Sequence, residues 1–97
     1  MPTYIMLYRF TEQGAKNIKT TLDRARENEV ESQQRGFKIH GVYWTQGQYD
    51  LVTVVEAPDE QAMLAASFNI AENGNVRSET LRAFTAAEIE QVLQRAG

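Results

Sequence analysis

The 97-residue sequence predicts an α+β fold of the ferredoxin-like type: a four-stranded antiparallel sheet in βαββαβ order, with helices on one face and a further helix at the C-terminus. Three observations predict it. Strand-like and helix-like segments follow one another in that order, two of the strands are joined by a tight turn, and the strands are apolar at both parities. A strand with one wet face normally alternates apolar with polar residues. Because successive side chains point to opposite faces, and one chain supplies helices for only one of them, the pattern also predicts a second copy packed sheet to sheet, as in a dimeric α/β barrel.

Thr3 to Phe10 is an aromatic and aliphatic run without a breaker, hence a strand. It offers Tyr4, Met6, Tyr8 and Phe10 to one side and Ile5 and Leu7 to the other. Thr11 caps the following helix, Gly14 is a weak point in its first turn, and Ala15, Ile18, Leu22 and Ala25 recur at helical spacing up to Arg35, with Gly36 as the stop. The mixed charges of Lys16, Lys19, Arg24, Glu27 and Glu31 form a solvated outer face. Phe37 to Thr45 and Tyr49 to Glu56 form a hairpin about Gln46-Gly47-Gln48. Pro58, Asp59 and Glu60 open a second helix that runs to Asn73 and stops at Gly74. Val76 to Phe84 is the fourth strand, and Thr85 caps a last helix with Ile89, Val92 and Leu93 on one side. No linker or repeat divides the chain, so residues 1–97 are expected to form a single domain.

Leu51-Val52-Thr53-Val54-Val55 is the clearest case of a strand apolar on both faces. The second helix is similarly broad in its apolar surface, with Ala62, Met63, Leu64, Ala65, Ala66, Phe68, Ile70 and Ala71 covering more than one stripe. Either the terminal helix of the same chain covers the excess or a neighbouring subunit does.

A formal net charge of −3, with ten basic residues scattered among thirteen acidic ones, argues against nucleic acid as a partner. The absence of cysteine removes disulfides, thiolate metal sites and a cysteine nucleophile. No signal-like or membrane-length apolar stretch is present, which predicts a cytoplasmic protein without a membrane partner. One histidine and no close carboxylate cluster predict no metal and no cofactor. Gly-rich phosphate loops, Ser/His/Asp arrangements and paired catalytic acids are likewise absent.

Gly47-Gln48-Tyr49-Asp50, then Glu56-Ala57-Pro58-Asp59, Gly74-Asn75-Val76-Arg77 and Thr80-Leu81-Arg82-Ala83-Phe84 follow one another in an order that resembles the GYD domain family. The resemblance spans Tyr4 to about Phe84, with Gln48 standing between the glycine and the Tyr-Asp pair. It implies the organisation of the dimeric α/β barrels, a group that includes cofactor-light monooxygenases, isomerases and ligand-sensing modules. Fold likeness does not select among those activities.

The residues with chemical potential are few. His40, the only histidine, falls in the second strand and by simple alternation shares a face with Val42 and Trp44; it is the candidate general acid or base or axial haem ligand, or else a satisfied structural histidine. Arg82 is the candidate for holding negative charge on a substrate oxygen, with Asp50, an anionic ligand or a subunit contact as its partner. Tyr8, Trp44, Tyr49, Asp50 and Thr80 are candidate ligand contacts. Trp44, Tyr43, Tyr8 and Tyr4 would suit a flat apolar molecule, and they would suit a subunit interface equally well. For Asp50 the structural alternative is to accept backbone N–H bonds and pin the hairpin turn. Three functions fit: a homo-oligomeric module binding a small aromatic or quinone-like ligand, an oxygenase or isomerase using His40 and Arg82, or an assembly subunit.

Overall fold

The structure, a computed structural model, describes residues 1–97. Its elements are β1 (Thr3–Phe10), α1 (Glu12–Lys16), a 3-10 turn (Ile18–Thr20), α2 (Thr21–Gln34), β2 (Lys38–Trp44), β3 (Leu51–Glu56), α3 (Glu60–Asn73), β4 (Val76–Ala83) and α4 (Ala86–Ala96). The four strands form one antiparallel sheet in the order β2-β3-β1-β4, with the helices on one side. This is the ferredoxin-like arrangement that the element order predicts.

Alternation along β1 decides which side chains meet the helices. Tyr4, Met6 and Tyr8 are buried under them together with Val55, Phe37, Ala57 and Met63. The complementary set, Ile5 and Leu7 on β1 with Val54 and Val52 opposite them on β3, lies on the face that carries no helix. Burying each large core side chain contributes about 1.5–3 kcal/mol. Tyr8, whose hydroxyl is enclosed, meets its polar requirement at Met6 Sδ (3.1 Å) and Thr53 Oγ1 (3.4 Å). Burial pushes its phenol pKa up, opposed in part by the Thr53 contact.

The structure corrects three sequence expectations. The first helix is not continuous. The Asn17 carbonyl, which an unbroken helix would give to Thr21, accepts instead from Thr20 N (3.1 Å), Thr20 Oγ1 (2.9 Å) and Arg24 Nη1 (2.8 Å), so the chain turns there. The third strand begins at Leu51 and not at Tyr49, because Asp50 uses its backbone to close the hairpin and to reach β1: Thr45 N donates to Asp50 O, and Asp50 N donates to Tyr8 O. Finally, a bulge between Ile39 and Gly41 interrupts the β2 register. Ile39, Val42 and Trp44 stay on the helix side, whereas His40 turns to the open face.

α3 starts cleanly, with Asp59 accepting from Ala62 N at 2.8 Å, and it presents Met63 inward. α4 does not lie on it. Leu64 and Phe68 therefore remain exposed, and cover by the chain's own terminal helix is not what the structure adopts.

α4 begins with a capping box in which Glu88 N donates to Thr85 Oγ1 (3.2 Å) and Thr85 N donates to Glu88 Oε1 (2.9 Å). The Thr85 backbone bond holds the Glu88 carboxyl below the ordinary glutamate value, with help from Arg82. A lowered carboxyl pKa stabilises the state that binds fewer protons. The contribution is complete above the ordinary glutamate value and is lost as pH falls through the lowered one. Acidification should thus fray α4 before the sheet, seen as a partial loss of helical circular dichroism that a Glu88→Gln variant shows already at neutral pH.

Candidate functional site

Two surfaces stand out. The first is the open sheet face. Its centre is apolar, built from Ile5, Leu7, Val52, Val54 and Leu81, with the Tyr43 ring folded over Gly41, where a Cβ would come within 2.6 Å of the ring. Its two ends are polar. At one end Arg9 stacks over the Tyr49 ring (4.8 Å to the centroid), and the Tyr49 hydroxyl donates to Glu79 Oε2 at 2.6 Å. That hydrogen bond to a carboxylate raises the Tyr49 phenol pKa, so the group stays a neutral donor. At the other end His40 Nε2 lies 2.6 Å from Glu56 Oε2.

The second surface is a groove of about 180 Å³ on the helix side, between α2 and α3. Met6, Tyr8, Val55 and Met63 form its floor, while Asn28, Arg35, Asn69 and Asn73 stand at its rim. Of the candidate ligand contacts read from the sequence, only Tyr8 lines it. Trp44 shares the helix side but donates from Nε1 to Thr21 Oγ1 (3.2 Å), at the start of α2. Thr80 lies exposed on β4, outside the groove.

The structure does not bring His40 and Arg82 together. His40 sits at one edge of the sheet on the open face; Arg82 sits on the opposite edge strand and the opposite face, where it pairs with Tyr4. Three strand spacings separate them, about 14 Å. Arg82 also does not meet Asp50. It donates to the Thr3 carbonyl at 3.2 Å and to the Ala83 carbonyl, approaches Glu88 at 3.6 Å, and stacks on the Phe84 ring at 4.3 Å. Its guanidinium secures the junction between β4 and α4.

The turn that joins β2 to β3 explains why its residue types belong there. Gly47 adopts φ +122°, open to glycine and strained for other residues. Asp50 Oδ2 accepts from Phe10 N (2.9 Å), and Arg9 Nε donates to the Gln48 carbonyl (2.9 Å). Thr45 Oγ1 donates to the Tyr49 carbonyl at 2.7 Å. Glycine, tyrosine and aspartate thereby lock the hairpin tip onto the end of β1 and set one polar edge of the open face. The GYD domain model matches residues 4–93, from the first strand through the last helix. The chain belongs to the GYD domain family.

A GYD relative from Thermus thermophilus is 33% identical over 90 residues, which are 92% of this chain and 95% of the relative. That protein is described as a glutamine synthetase and cystathionine beta-lyase binding protein. No solved structure matches. In this GYD chain the open face was legible in the two-sided strands, but the groove was not, because it depends on how far apart α2 and α3 settle on the sheet.

Proposed function

We propose that this GYD protein is a protein-binding module that assembles with itself through the open sheet face and docks on a metabolic enzyme, glutamine synthetase being the first candidate. The observation that carries the docking reading is the relative's name, coupled to identity along nearly the whole length of both chains. The open face supports self-assembly through its layout, an apolar centre between polar ends, which is how a subunit interface is built. With that face taken by a second copy, the outer surfaces of α3 and α4 and the helix side remain for other contacts.

A second reading is favoured by the groove, whose apolar floor and amide-rich rim suit a small apolar or aromatic molecule. Native mass spectrometry separates the two. Mixed with glutamine synthetase of its own organism, the protein should form a complex of defined stoichiometry, resolved as well by sedimentation. A protein that carries a small extra mass and ignores the enzyme would favour the ligand reading and set docking on glutamine synthetase aside.

A further inference from the structure

Two apolar helix stripes of this chain remain exposed. On α3, Leu64 and Phe68 stand one turn apart on the outer side and are 55% and 65% exposed, with Ala71 continuing the row. On α4, Ile89, Val92 and Leu93 fall on one side at helical spacing, and Leu93 is 64% exposed. An isolated helix of eleven residues is marginal in water, so α4 needs a surface to pack on. It also projects: the radius of gyration is 14.7 Å, against about 12.5 Å for a compact chain of this length.

We infer that α4 is an exchanged arm whose Ile89–Val92–Leu93 stripe packs on the Leu64–Phe68 stripe of α3 in a second copy. The junction directs it outward. Only Phe84 and Thr85 separate β4 from α4, the capping box fixes the first turn, and Arg82 ties that turn to the Thr3 and Ala83 carbonyls through Glu88. The stripes match in length. Eleven residues of α4 span about 16 Å, and the row from Gln61 to Ala71 on α3 spans about the same. Donor and acceptor stripes lie on one chain, so reciprocal exchange about a two-fold axis satisfies both copies at once and closes the assembly. This favours a second copy over an unrelated protein as the occupant, and it is independent of whether an enzyme docks elsewhere.

The absence of native cysteine makes the test direct. Phe68→Cys and Leu93→Cys proteins, both changed at exposed positions, are co-expressed and oxidised. The mixture should give a disulfide-linked species of twice the 11.0 kDa chain mass, several-fold above either variant alone. A mixture no more cross-linked than the single variants overturns the arm, as does a double variant whose disulfide closes within one chain. Without any cross-link chemistry, Leu93→Glu should raise the dissociation constant for self-association at least about tenfold, a loss of about 1.4 kcal/mol. An unchanged constant also counts against the exchange.

Discussion

Val54→Asp is expected to abolish self-assembly through the sheet while leaving the chain folded. Val54 stands near the middle of the open face, opposite Ile5 on β1 and Gly41 on β2. In a single chain its side chain points away from the helices, so a carboxylate there stays solvated and costs the fold little. In a sheet-to-sheet pair the same carboxylate would be enclosed among Ile5, Leu7 and Val52, while the nearest basic groups, Lys38 and His40, stand at the polar end beside Glu56, which His40 already contacts at 2.6 Å. An uncompensated buried charge costs about 3–5 kcal/mol, and two-fold symmetry would introduce two of them. Association should weaken by a factor of about ten thousand or more. In a chain that also carries Leu93→Glu, so that no arm contact holds two copies together, sedimentation velocity should find the 11.0 kDa chain alone, with the circular dichroism of the parent. A double variant that sediments like the parent would mean that the open sheet face is not the interface.

The second large effect is Gly14→Ala, where local propensity and tertiary packing pull in opposite directions. Alanine in place of glycine within a helix normally gains about 1 kcal/mol. At Gly14, however, a Cβ would sit 1.9 Å from the Asn75 carbonyl oxygen and 2.9 Å from its carbon, both backbone atoms. The β4 entrance would have to move. Its movement would strain Thr11 N to Asn75 O (3.0 Å), Thr11 Oγ1 to Gly74 O (2.6 Å) and Gln13 Nε2 to Asn73 O (3.0 Å), the bonds that fasten α1 to the end of α3. Overpacking costs about 1–3 kcal/mol and each lost hydrogen bond about 1 kcal/mol, so a net loss of about 3 kcal/mol outweighs the propensity gain. For a domain of this size the melting temperature should fall on the order of 15 °C. A G14A protein that melts at or above the parent temperature would show that the α1–α3 junction yields without cost.

The two substitutions act on different parts of the proposal. V54D tests assembly in a chain that stays folded, whereas G14A tests the frame that holds the helices over the sheet. Neither touches α4. The arm contact is separately measurable, and a protein that loses sheet pairing but retains the Phe68–Leu93 cross-link would have two independent interfaces.

The sequence by itself determined the element order, the sheet and the two-sided strands, because those follow from periodicity and turn chemistry along short stretches of chain. Alternation at Tyr4, Met6 and Tyr8 against Ile5 and Leu7 requires no knowledge of distant residues. The same locality misplaced His40. Period-two counting puts it beside Val42 and Trp44, and one extra residue in β2 reverses its face, an event set by how β2 registers against β3. Arg82 was legible as a charge needing a partner, but the partner was decided by the path of the chain beyond β4, which brings Glu88 and not Asp50 within reach. The groove between α2 and α3, the tight approach of Gly14 to Asn75 and the outward course of α4 belong wholly to tertiary structure, since each depends on distances between segments that local sequence does not encode.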